Sequence, residues 1–283
     1  MEFRTIIPIK PQPVADHNTK FMLLGSCFAE NIGQKLLDYR FRCDINPFGV
    51  LYNPMSIAQS LERLAAKQPF TFAELFEYGG LWHSWAHHGS FSDQAAEKAL
   101  EKIQLRFDTA ANHLTQTDLL IITFGSAWVY EFEGQVVANC HKVPNNRFVR
   151  RRLTVDEITT RYTQLFDTLR QANPHLKVLL SVSPIRYLRN AATENQTSKA
   201  ILLLAAEKLC QTVPNTAYFP AYEIVLDELR DYRFFADDMI HPSATAIAYV
   251  WERFSQAYFT METLALLPEI DKKNKQAAHR PLH

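Results

Sequence analysis

The sequence predicts an α/β protein, a parallel sheet with helices on both faces. Two observations carry this: short apolar runs bounded by Gly, Ser or Pro recur along the chain, and segments of helical period lie between them. Residues 21–24, 119–124 and 178–182 are too short for helices and lack polar alternation, the pattern of strands buried on both faces. Residues 41–45 and 216–219 supply two further, weaker strands. Helices are expected over 30–39, 155–171, 198–210 and 244–259. Strand and helix alternate, so the expected architecture is a three-layer α/β/α sandwich.

With 283 residues, 47% of them hydrophobic, the chain is long enough for one large core. One domain is expected over residues 1–268, with insertions near 54–115 and 129–152. The first insertion is rich in helix formers but contains Trp82-His83-Ser84-Trp85-Ala86-His87-His88-Gly89, and the second reads as a hairpin turning near Glu133-Gly134. Insertions between sheet elements commonly build pockets and lids. Residues 269–283 are polar and basic and read as a loose tail.

Lysine plus arginine equals aspartate plus glutamate at 30 each, so no global field gathers nucleic acid or an anionic membrane surface. The expected partner is a small-molecule substrate, and oligomeric state stays open. Met1-Glu2-Phe3-Arg4-Thr5 has no cationic leader followed by an apolar stretch, and no run reaches the ~18 apolar residues of a membrane span, so a cytoplasmic location is expected. Cys27, Cys43, Cys140 and Cys210 are scattered and read as reduced thiols. His87, His88 and His141 have no ligand spacing around them, so no metal and no cofactor is expected. His88 and His141 are weighed instead as substrate contacts in a pocket wall.

Gly25-Ser26-Cys27 follows the run 21–24 and precedes an amphipathic segment, which puts Ser26 at the carboxyl end of a strand and the amino end of a helix. Free N–H groups and the helix dipole favour negative charge there. Gly25 permits the sharp turn. Serine at such a place is also a favoured helix cap, the simpler reading of Ser26. Cys27, the other possible nucleophile, is expected to point into the helix packing as a small buried hydrophobe. Near the far end, Asp238-Met239-Ile240-His241-Pro242-Ser243 precedes the helix 244–259. A carboxylate three residues before a histidine can hold the imidazole Nδ1–H and leave Nε2 to take a proton. A serine hydroxyl and such a base are the two halves of nucleophilic catalysis. Arg150-Arg151-Arg152 reads as a solvated run before a helix start, whereas Arg186, after Pro184 at a strand's carboxyl end, is the better anion-binding candidate.

Gly25-Ser26-Cys27-Phe28-Ala29 with Glu30-Asn31 resembles the signature of the GSCFA family, a branch of the SGNH/GDSL hydrolases. Asn46-Pro47-Phe48-Gly49, Leu51-Tyr52-Asn53-Pro54, Thr123-Phe124-Gly125-Ser126-Ala127, Ala138-Asn139-Cys140-His141-Lys142 and Asp238-Met239-Ile240-His241-Pro242-Ser243 resemble its further blocks. The resemblance implies a flavodoxin-like SGNH hydrolase fold, five parallel strands in the order 2-1-3-4-5. It also implies a triad of Ser26, His241 and Asp238, an oxyanion hole from the N–H groups of Ser26 and Gly49, and Gly125 and Ser126 beside the substrate. The wider superfamily carries an asparagine donor where Ala127 stands, and losing one such donor typically adds ~3 kcal/mol to the barrier. Asn46, Asn139, Ser126 and Thr123 are the candidate polar replacements for it. The implied activity is hydrolysis of a carboxylic ester through an acyl-enzyme, with acyl transfer by the same triad, or ligand binding without fast chemistry, as the alternatives.

Overall fold

The computed structural model describes residues 5–12, 14–188 and 191–278. Met1 to Arg4 and the end of the expected tail, 279–283, lie outside the described residues. In chain order the elements are β1 (Lys20–Gly25), α1 (Cys27–Asp38), β2 (Arg42–Ile45), α2 (Pro54–Ala65), β3 (Leu75–Tyr78), β4 (Leu81–Ser84), α3 (Ala96–Leu114), β5 (Leu119–Phe124), β6 (Trp128–Phe132), β7 (Gln135–Val137), β8 (Val149–Arg152), α4 (Val155–Ala172), β9 (Lys177–Val182), α5 (Ala192–Thr212) and β10 (Thr216–Phe219). A short helix α6 (Ala221–Glu223) then runs into a π-helical turn (Ile224–Leu229), followed by α7 (Ala244–Tyr258) and α8 (Met261–Ala278).

Five strands pair in parallel in the order β10-β9-β5-β1-β2, which is 2-1-3-4-5 counted within that sheet. Side chains alternate between faces along each strand. Met22, Leu24, Leu120, Ile122, Val178 and Leu180 therefore pack under α2, α3, α4 and α5. Phe21, Leu23, Leu119, Ile121 and Leu179 pack under α1 and α7. Both sets are apolar, so the three central strands show no alternation in sequence. β2 and β10 are edge strands, only partly buried, and their weaker apolar signal follows from that.

Three expectations change. The stretch 54–115 is not a peripheral insertion: α2 and α3 cover the same sheet face as α4 and α5, and only the hairpin β3-β4 stands apart from that layer. The tail is not loose as far as residue 278. α8 continues through Pro268, a residue that normally ends a helix, and its second half is pinned to the end of α1 by Asn274 Nδ2 donating to Asp38 O at 2.7 Å and by Asp271 Oδ1 accepting from Tyr39 Oη at 3.4 Å. α5 begins at Ala192, six residues before the expected start, because the side chain of Asn195 is used by the rim rather than competing with the helix backbone. The expected hairpin in the second insertion forms, with Glu133 and Gly134 at φ 51° and 77° between β6 and β7, and β8 joins its outer side. Among the described residues no helix is long and apolar enough to cross a membrane.

Ile122 is fully buried at the centre of this core. Ile122→Ala is expected to lower unfolding free energy by ~2–5 kcal/mol, measured by urea denaturation.

Candidate active site

The carboxyl end of β1 is fixed from both directions. Gly25 N–H donates to Asn46 Oδ1 at 2.9 Å, and Gly25 O accepts from Leu51 N–H at 2.9 Å. Gly25 has φ +148°, and a Cβ there would lie 2.3 Å from Thr123 O, so no other residue fits without shifting the sheet. Ser26 is next, in extended conformation, and caps α1: its Oγ accepts from Phe28 N–H at 3.3 Å. The cap reading of Ser26 is thus realised. It uses the oxygen as acceptor only, and among the described residues the hydroxyl hydrogen has no acceptor. Ser26 is 1% exposed. Cys27 is not buried in the helix packing as expected; it is partly exposed, with Sγ 3.7 Å from Tyr52 Oη, because the first turn of α1 faces the sheet rim.

The loop before α7 carries the second half. Asp238 Oδ1 accepts from the N–H groups of Ile240 and His241, each at 2.9 Å, and Oδ2 lies 2.6 Å from His241 Nδ1. The His241 backbone N–H, then its ring, then Ile240 N–H hold the Asp238 carboxyl down to about 2. An ionised Asp238 requires Nδ1 to carry the hydrogen, which leaves Nε2 a bare acceptor. By linkage, a depressed carboxylate contributes above its ordinary value of 3.8, and that contribution is lost as pH falls toward about 2. Asp238 is therefore ionised through the neutral range. Both side chains are about half exposed. Among the described residues no hydrogen bond joins His241 to Ser26.

Arg186, the expected anion binder, has its Nη1 engaged by the loop that carries His241. Its N–H donates to Ile240 O at 3.0 Å and its Nη1 to Met239 O at 3.1 Å, while the guanidinium lies 5.5 and 5.3 Å from the Tyr232 and Phe235 ring centres. It fastens the His241 loop to the segment after β9. Gly49 is also corrected: its N–H donates to Asn46 O at 2.7 Å in a tight turn and is committed there, and a Cβ would lie 2.3 Å from His88 Cβ. His88 packs on that turn, with Nδ1 3.1 Å from Ser90 Oγ. His141 is buried, its Nε2 2.8 Å from Ser84 O, so it holds the hairpins rather than a substrate. Burial pushes its imidazole down to about 4. Gly125 lies beside Ser26, and Ser126 follows it in the same loop. Both N–H groups donate to Tyr52 O at 2.9 and 2.8 Å, and a Cβ at Gly125 would stand 3.5 Å from Ser26 Cβ. Asn46 is 6% exposed; Oδ1 serves Gly25, and among the described residues Nδ2 has no hydrogen-bond partner. A cavity of about 540 Å³ between α2 and the hairpins, lined by Phe48, Arg63, Trp85 and Gln135 among others, includes neither Ser26 nor His241.

The sequence reading missed Lys199. It is 1% exposed, and its Nζ donates to Gly125 O and Ser183 O, both at 2.7 Å, tying the carboxyl ends of β5 and β9 together. Ser198 Oγ accepts from Ala127 N–H at 2.8 Å, and Asn195 Oδ1 from Tyr187 N–H at 3.0 Å. The signal was present: Asn195, Ser198, Lys199, Leu202, Ala206 and Leu209 recur at helical spacing, so the polar three share the buried face. Burial pushes the Lys199 ammonium down to about 7. Between there and the ordinary lysine value of 10.5 the folded chain binds fewer protons than the unfolded one, so stability rises with pH across that window. Lys199→Met is expected to remove this rise, up to ~1.4 kcal/mol per pH unit, seen as urea midpoints at pH 7 and 9 that no longer differ by it.

Among solved structures the chain is similar to a carbohydrate esterase family 3 protein from Talaromyces cellulolyticus, at 12% identity and TM-score 0.38, over 91% of this chain and 99% of that one. A Clostridium thermocellum family 3 carbohydrate esterase matches at 9% identity and TM-score 0.40, over 89% and 98%. The acetyl xylan esterase Est2A from Butyrivibrio proteoclasticus matches at 11% and 0.40, over 95% and 67%. Similarities this distant bear on neither substrate nor mechanism. A comparison with curated proteins finds no match. The sequence profile of the GSCFA family matches residues 20–254, which takes in β1, Ser26, Asn46, the rim residues and the Asp238–His241 pair: the chain belongs to the GSCFA family.

Proposed function

We propose that this chain is a serine-dependent hydrolase of carboxylic esters of the SGNH/GDSL type. The observation that carries the reading is the Asp238–His241 pair, which presents a bare Nε2 from a loop fastened by Arg186 to the segment after β9, on the carboxyl side of the sheet where Ser26 begins α1. In the proposed reaction Nε2 takes the Ser26 proton, Oγ attacks the acyl carbon, and the leaving alkoxide receives the proton from the imidazolium. Water, activated by the same base, then releases the acyl group. The reading requires the His241 loop to come to Ser26 once substrate is present; catalytic hydrogen bonds commonly tighten only in that complex.

The negative charge on the tetrahedral intermediate needs donors. Gly49 N–H is committed to its turn, and Ala127 has no donor in its side chain. Asn46 Nδ2 supports the replacement: it is buried beside Gly25 with no partner among the described residues, and its orientation is set because Gly25 N–H demands the oxygen. With Ser26 N–H it forms the proposed oxyanion hole.

The missing Ser26–His241 bond favours a second reading, a member of the family that binds ligand without chemistry. A fluorophosphonate probe separates the two, since covalent labelling of Ser26 that disappears in His241→Ala supports hydrolysis and an unlabelled wild type supports binding alone. His241→Ala is expected to lower kcat at least about a thousandfold with little change in Tm, and Ser26→Ala to lower kcat as much while also losing ~1 kcal/mol of stability with its cap on α1. Asn46→Asp, which keeps the acceptor for Gly25 and replaces the free donor by an anion, is expected to reduce kcat by roughly 10²–10³ with KM nearly unchanged. Steady-state kinetics on a 4-nitrophenyl ester reads both.

A further inference from the structure

The three arginines of β8 do not share one environment. Successive side chains of a strand take opposite faces, so Arg150 and Arg152 share one face and Arg151 the other. Arg151 is neutralised twice, by Glu131 Oε1 at 2.7 Å and Glu157 Oε1 at 2.6 Å. Arg150 and Arg152 both lie over the indole of Trp128, at 3.6 and 5.5 Å from its centre. Among the described residues Arg150 reaches one carboxylate, Glu194 in the first turn of α5, at a loose 3.4 Å, and its buried Nε has no hydrogen-bond partner. Arg152 is exposed and, among the described residues, pairs with no carboxylate. This face therefore holds two guanidiniums, oriented by stacking on an aromatic ring, against one weakly held anion. Guanidiniums in that condition are suited to a planar or tetrahedral oxyanion.

Its place in the fold ties it to Ser26. Trp128 N–H donates to Ser126 Oγ at 3.1 Å, and Gly125, three residues back, stands against Ser26. Three residues span at most ~11 Å even when fully extended, so the patch begins within a small molecule's length of the proposed nucleophile. Glu194 precedes Asn195, which holds the rim residue Tyr187. We propose that Trp128, Arg150 and Arg152 form a subsite for an anionic group, a carboxylate or a phosphate, carried by the ester substrate. The assignment of the group to a substrate rests on the hydrolase reading; the anion site itself does not.

The experiment compares wild type with Arg150→Gln/Arg152→Gln on two esters of equal acyl length, 4-nitrophenyl hydrogen succinate and 4-nitrophenyl butyrate. The double variant is expected to lose roughly ten- to a hundredfold in kcat/KM on the succinate ester and to stay within about twofold of wild type on the butyrate. Equal effects on both esters, or none on either, overturn the subsite. Arg152→Gln alone, at an exposed position, gives the same comparison if the double variant does not fold. Calorimetric titration of Ser26→Ala with succinate, and separately with inorganic phosphate, reads the site without catalysis. Binding of one of them at millimolar concentration, abolished in the arginine variants, supports the subsite and names the anion, and binding of neither overturns it. Anion binding by a chain that hydrolyses neither ester would keep the subsite and refute the hydrolase reading.

Discussion

Burial of β1, β5 and β9 on both faces is the constraint on which the rest depends. A strand sealed above and below by apolar side chains has no place for a polar group except at its ends. In this chain the carboxyl ends receive them: Ser26 after β1, Asn46 after β2, Gly125 and Ser126 after β5, Ser183 after β9. The helices that follow start there as well, so backbone N–H groups gather at the same edge.

A rim of loop ends would be loose without something to hold it, and three buried side chains of α5 do so. Asn195, Ser198 and Lys199 each bond a main-chain group of a different rim segment or bridge two of them. Tyr52 O closes the other side by accepting two N–H groups from the loop after β5. Burying an ammonium with only carbonyls for partners is unfavourable, and the lowered Lys199 value expresses this. By contrast, the Asp238–His241 loop is half exposed and fastened mainly through Arg186. Ser26 thus sits buried in a fixed rim, while the Asp238–His241 pair stands on a more exposed segment.

Much of this was legible because it is local. The central strands announce themselves by length and apolarity, and the pair at 238 and 241 by a spacing of three that a single loop closes on itself. Ser26 was readable from its place between an apolar run and an amphipathic one. The readings that failed were of residues whose partners are distant in sequence. Arg186 reads as an anion binder, yet its Nη1 donates to Met239 O; Gly49 reads as an oxyanion donor, yet its N–H donates to Asn46 O. Lys199 lies in a helix whose mean character is apolar, and its acceptors are 74 and 16 residues away.

By itself the sequence determined the fold class, the family and the residue types at the rim, because periodicity, turn residues and short motifs act over a few positions along the chain. Only the tertiary structure decided which donors and acceptors are already taken. Among the described residues Asn46 Nδ2 is left unpaired and Gly49 N–H is not, and the outer arginines of β8 stay loosely matched while Arg151 is neutralised. Hydrogen-bond partnership depends on which segments the sheet order brings side by side, and that is a property of the packed whole.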